Sequence, residues 1–131
     1  MTTGTGWQIV IPGRPVSLNA ERSGSRYKRH ENTKAVRQMA QILWRDGVNR
    51  KVLPAKLDRI SVTAHCTAKD GRWHIDLGSA LPTAKAAIDG IVDAGLIPND
   101  TDRHLVSLTF EPTRITGVDS LVLTIRERTQ P

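Results

Sequence analysis

Cysteine occurs once, at Cys66, which excludes an internal disulfide framework and any multi-cysteine zinc site. Aromatic residues are nearly as scarce. Three Trp, one Tyr and one Phe in 131 residues leave little for stacking on the bases of a single strand. No apolar run approaches the roughly 20 residues of a membrane helix. Residues 1–6 form a small, polar stretch that is expected to be flexible; it has no charged segment or apolar core, so no secretory signal is expected. These absences predict a reducing, cytoplasmic setting and no membrane partner. Several chemistries drop out as well. The chain has no Walker loop, no dinucleotide glycine fingerprint, no His-Glu-x-x-His and no Gly-x-Ser-x-Gly elbow. His30, His65, His74 and His104 are scattered, and no pair has helical ligand spacing.

Acidic residues are also outnumbered, 13 against 19 Lys and Arg, for a net charge of +6. Such a balance favours a polyanionic partner. Its distribution is uneven. Residues 14–51 hold ten basic and three acidic side chains, whereas residues 70–102 hold six aspartates against Arg72 and Lys85. A basic arm therefore precedes an aspartate-rich centre. The plain alternative is a solvated basic helix followed by ordinary turn aspartates.

At 131 residues the chain is one domain, 1–131, large enough to bury a core without staples. Trp7 to Ile11 read as a strand stopped by Pro12-Gly13. Residues 14–31 read as a long basic loop. A helix then starts near Asn32 or Thr33, with Val36, Met39, Ala40 and Leu43 on its apolar face. Lys34, Arg37, Gln38, Gln41 and Arg45 take the other face, and Gly47 offers a stop. Ile60, Val62, Ala64 and Cys66 alternate with Ser61, Thr63 and His65, the period of a half-buried strand. Cys66 falls on its apolar face, as a packing residue. A second helix is predicted from Pro82 to Gly95, with Gly90 inside it. A glycine there costs about 1 kcal/mol relative to alanine, so a close approach is expected at Gly90. Leu105 to Phe110 and Leu121 to Arg126 look like hairpin partners. The expectation is an α+β fold, a small mixed sheet with two helices packed on it, in the order β-α-β-α-β-β.

The second helix sets Lys85, Asp89 and Asp93 at i, i+4 and i+8, on one face. Asp76 precedes that helix, and Asp100 and Asp102 follow it, so loop carboxylates can reach the same face. Mg²⁺ takes one or two carboxylates, waters and substrate phosphate oxygens. A metal held this way activates water and offsets charge in phosphodiester cleavage. Aspartates beside a basic arm thus suggest a nuclease, while a solvent-facing salt-bridge stripe is the bland reading.

The segment from Asp76 to Asp100, Asp-Leu-Gly-Ser-Ala-Leu-Pro-Thr-Ala-Lys-Ala-Ala-Ile-Asp-Gly-Ile-Val-Asp-Ala-Gly-Leu-Ile-Pro-Asn-Asp, resembles the RusA-type Holliday junction resolvases. Gly-Arg-Pro-Val-Ser-Leu-Asn at 13–19, basic residues from Arg26 to His30, and Thr33-Lys34 extend the likeness over most of the chain. The resemblance implies a RusA-like fold and a homodimer. It further implies binding of four-way or branched DNA, and Mg²⁺-dependent nicking, with Mn²⁺ as a substitute, in recombination and repair. By position, Asp76 and Asp100 become catalytic metal ligands, joined by Asp89, and Lys85 becomes the catalytic lysine that steadies a phosphate. Arg14, Asn19, Arg26, Lys28 and Arg29 become DNA contacts. Two positions depart: Gly78 stands where the family has its second aspartate, and Ser79 where it has asparagine. The main expectation is a junction endonuclease. Gly78 motivates the alternative, a degenerate relative that binds branched DNA without cutting it. A third, an unrelated basic nucleic-acid-binding module, leaves the aspartates as turn and salt-bridge residues.

Overall fold

A computed structural model describes residues 6–13, 26–71 and 77–129, with backbone only for 26–31, 77 and 79. The described residues form four strands, two α-helices and one 3₁₀ turn. In chain order these are β1 (Trp7–Pro12), α1 (Arg26–Asn49), β2 (Ile60–Ala68), the 3₁₀ turn (Leu77–Ala80), α2 (Leu81–Asp93), β3 (Leu105–Ile115) and β4 (Ser120–Glu127). The fold is α+β, a mixed four-stranded sheet with two helices, in the expected element order.

The strand order is β1-β4-β2-β3. Period-two alternation turns one face of every strand toward the helices. Registered rows run across that face: Trp7, Ile125, Val62 and Leu108; then Ile9, Leu123, Ala64 and Phe110. Ala40 and Trp44 of α1 and Ala84, Ala87, Ile88 and Ile91 of α2 close over these rows in one core. The opposite face carries polar rows such as Gln8, Thr124, Thr63 and Thr109. Pro12 is tolerated because β1 is an edge strand. Cys66 is buried, as its place on the apolar face of β2 predicts, and burial pushes its thiol up to about 11, so it stays protonated at neutral pH.

Four expectations fail. The basic loop assigned to residues 14–31 ends early, because α1 begins at Arg26 and takes in Arg26, Lys28 and Arg29. Straight-chain basic residues are good helix formers, but without apolar spacing they show no amphipathic period. The inward face of α1 is also turned. Ala40 and Trp44 are fully buried and Met39 is 38% exposed. Gly47 does not stop the helix, which continues to Asn49; instead Leu53 folds back onto Gly47, and its amide donates to the Gly47 carbonyl at 3.1 Å. Finally, β3 and β4 are not hairpin partners. β2 lies between them, parallel to β3 and antiparallel to β4. The link from β3 to β4 crosses the end of β2, where Thr116 N and Gly117 N both donate to the Ala68 carbonyl, and Lys69 N donates to Asp119 Oδ1 at 2.8 Å.

Trp44 anchors α1, fully buried, with its Nε1–H donating to the Pro54 carbonyl at 3.0 Å. Trp44→Ala is expected to cost about 3–5 kcal/mol through lost transfer energy and the cavity left behind. Trp44→Phe keeps most of the volume and leaves a carbonyl unpaired, a loss of about 1–3 kcal/mol. Urea midpoints of the two variants check this ordering.

Candidate functional site

Helix α2 is entered through the 3₁₀ turn, with Pro82 in its first turn, where the missing N–H costs nothing. It ends as expected at Gly95, whose φ of +97° is the left-handed conformation that favours glycine. The chain then doubles back, burying Leu96 and Ile97. Leu57 N donates to the Leu96 carbonyl at 2.7 Å and Ile60 N to the His104 carbonyl at 2.8 Å, so both ends of the returning loop are tied to the start of β2. At its tip, Asn99 Oδ1 accepts from Thr101 N at 3.1 Å and from Thr101 Oγ1 at 2.6 Å, a turn that holds Asp100 in place.

That loop carries Asp100 back to the exposed face of α2. The Lys85 ammonium donates to Asp89 Oδ1 at 2.7 Å and to Asp100 Oδ2. Lys85 is 47% exposed, with Asp89 at 29% and Asp100 at 31%, so the cluster is reachable from solvent. The hydrogen bond from Lys85 holds the Asp100 carboxyl below the usual carboxylate range, against the opposing effect of partial burial. Burial acts to lower Lys85, but the hydrogen bonds and charges of Asp100 and Asp89 outweigh it and raise Lys85 above its ordinary value.

Asp93, expected on the same face, is used differently. Arg37 of α1 grips its carboxylate with Nε at 2.6 Å and Nη2 at 2.9 Å, and Arg45 Nη2 reaches the Asp93 carbonyl at 3.4 Å. The fork geometry suits a carboxylate. Its hydrogen bonds lower Asp93 and raise Arg37. Sequence reasoning placed Arg37 and Arg45 on a free polar face; no local pattern shows that α2 lies beside it. The closeness of the helices was legible, through Gly90. A Cβ there would crowd the Arg37 carbonyl and lie 2.9 Å from Ala40 Cβ and 3.0 Å from Gln41 N.

Of the other expected site residues, Asp76, Arg14 and Asn19 lie outside the described residues. Arg26, Lys28 and Arg29 occupy the first turns of α1. Asp102 is exposed in the turn after Asp100. Gly78 is exposed in the 3₁₀ turn, and a Cβ there would meet no described atom within 4 Å. Among the described residues no three His, Cys, Asp or Glu converge as a metal cage. Asp89 and Asp100 are oxygen donors of the type a hard divalent ion takes, at a surface that water can reach, and the Lys85 ammonium occupies the space between them. No helix among the described residues is long and apolar enough to cross a membrane.

No protein-family model matches the chain, and a search of curated proteins returns no significant match.

The bridge sets a pH dependence. A carboxylate with a depressed folded pKa contributes stability above its ordinary value of 3.8 and loses it as pH falls through the lower folded value. Lys85, raised from 10.5, contributes below that value and loses its share as pH rises through the folded one. The bridge therefore spans the neutral range. Carboxyl carbon NMR titration should place Asp100 below 3.8, and Lys85→Met should return it toward that value. Exposed pairs of this kind are worth about 0.2–1 kcal/mol, so the urea midpoint should shift only slightly.

Proposed function

We propose that this protein is a RusA-like, Mg²⁺-dependent endonuclease that binds four-way DNA junctions as a cytoplasmic homodimer and nicks them in pairs. The observation that carries the reading is the Lys85 ammonium seated between Asp89 and Asp100, the three positions that the resemblance assigns to the reacting centre. Asp89 and Asp100, with Asp76, would hold the ion. When bound, Mg²⁺ supplies an activated water and a counter-charge for the phosphate. Lys85 has three N–H donors, two of them given to Asp89 and Asp100, and the third is available to a non-bridging phosphate oxygen. Arg14, Asn19, Arg26, Lys28 and Arg29 would contact the DNA arms, adding affinity and register.

Gly78 supports a second reading, a junction binder that no longer cuts, because it supplies no ligand where the family has an aspartate. End-labelled mobile junction, incubated with protein in Mg²⁺ or Mn²⁺ beside a linear duplex, separates the two. Symmetric nicks confined to the junction support the nuclease. A shifted but intact junction supports the binder, and no interaction with either DNA sinks both. Among the described residues Gly78→Asp meets no obstruction, and the backbone at Gly78 is not left-handed. It is expected to raise nicking at limiting Mg²⁺ on the order of 10–100-fold, the usual scale for support of a metal site. A cleavage series over Mg²⁺ concentration measures it.

A further inference from the structure

The flank of α1 that meets α2 has a charge pattern that the packing of the two helices does not use up. Gly90 of α2 lies against Arg37, Ala40 and Gln41 of α1, and Asp93 against Arg37 and Arg45. Nearer the helix starts, Thr83 shares a groove with Asn32, Ala35, Val36 and Met39. Contacts thus advance together along both helices, which run side by side in the same sense. Arg37 is gripped by Asp93 and also feels the charge of Asp89, one turn earlier on α2. One turn earlier on α1 is Lys34, which this register brings abreast of Asp89 and the Lys85 cluster.

Lys34, Arg37, Gln41 and Arg45 follow at i, i+3, i+7 and i+11, the spacing of a single helix flank. No acidic residue occurs from Asn32 to Arg45. Lys34 and Arg45 are exposed, and Lys34 forms no ion pair with a described residue. Arg37 is 51% exposed even while paired, and a guanidinium that gives two donors to Asp93 keeps three for another acceptor. From Lys34 to Arg45 the helix rises roughly 16 Å, at about 1.5 Å per residue. Measured along the duplex axis, that length covers about five phosphates of one strand at roughly 3.4 Å of rise each.

We propose that this flank is the rail on which the phosphodiester backbone of a DNA arm lies as it reaches Lys85, Asp89 and Asp100. The inference rests on the nuclease reading and adds to it a binding surface, with Lys34, Arg37 and Arg45 as phosphate contacts. Arg37 is fixed in advance by Asp93, so little of its side-chain freedom remains to be lost on binding.

The test is anisotropy of a fluorescent four-way junction titrated with the full chain in EDTA over a series of salt concentrations. The variants are Lys34→Ala, Lys34→Ala with Arg45→Gln, and the control Arg50→Ala, whose side chain pairs with Asp46 elsewhere on α1. Each lost phosphate contact should reduce the salt slope by about 0.9 per protomer, so the double variant loses about two and the single about one. The double variant should bind at least tenfold more weakly at fixed salt. Arg50→Ala should match wild type, and circular dichroism should report the same helix content for all. Wild-type binding with an unchanged slope in the double variant overturns the rail alone. Failure of the wild type to bind any DNA overturns the nuclease reading, and the rail with it.

Discussion

Asp100→Asn should sharply slow nicking while leaving junction binding intact or slightly tighter. Asparagine keeps the size of the side chain, and its Oδ1 can still accept from Lys85, so the turn built by Asn99 and Thr101 should persist. What disappears is one of the two carboxylates that bracket Lys85. On the proposed reading a divalent ion then has Asp89 alone among the described residues, and the rate should fall on the order of a hundredfold or more. Binding should hold because removing a negative charge beside a phosphate relieves repulsion. Asp102→Asn, in the same turn but outside the Lys85 cluster, is the matched control and should cut like the parent. If the parent binds without cutting, the comparison is made in the Gly78→Asp background. Equal nicking by Asp100→Asn and its parent would remove Asp100 from the site.

Gly90→Val should destabilise the fold by about 3 kcal/mol, at the upper end of the range for overpacking. In an open helix the opposite sign applies to glycine replacement, since Gly costs about 1 kcal/mol relative to Ala. The crossing decides between them. At Gly90 the added carbon meets the Arg37 carbonyl, Ala40 Cβ at 2.9 Å and Gln41 N at 3.0 Å. Two of these are backbone atoms, which cannot rotate away. Even Gly90→Ala should therefore lower the urea midpoint, whereas Gly78→Ala, with no described atom within 4 Å, should not. A rise in midpoint for Gly90→Ala would mean that the helices separate easily. Separation would also pull Arg37 from Asp93, so loss of that pair should accompany the loss of stability.

The aspartates show how far spacing alone carries a site. Lys85 and Asp89 are four residues apart in a helix, so their pairing is a local fact that the sequence states directly. Asp100 lies eleven residues beyond Asp89, past the stop at Gly95, in a loop whose carboxylates the sequence allows to reach the same face. Asp93 has the same helical phase as Asp89, yet it serves the contact with α1 and not the cluster. Nothing within α2 distinguishes the two carboxylates. The difference arises from Arg37, 56 residues away in the chain.

The sequence by itself determined the element types, their order, the inward face of β2, the stop at Gly95 and the need for close packing at Gly90. Each follows from local physics: side-chain periodicity, the missing N–H of proline, and the positive φ that glycine accepts. Tertiary structure decided which strands are neighbours, because period two marks the face of a strand and not its partner. It placed β2 between β3 and β4. It turned α1 so that Trp44 is buried and Met39 is partly exposed, and carried the helix back to Arg26, where no apolar spacing announces it. It also divided the acidic face of α2 between an open cluster and a buttress. That division depends on how two helices lie across each other, which only the shared core sets.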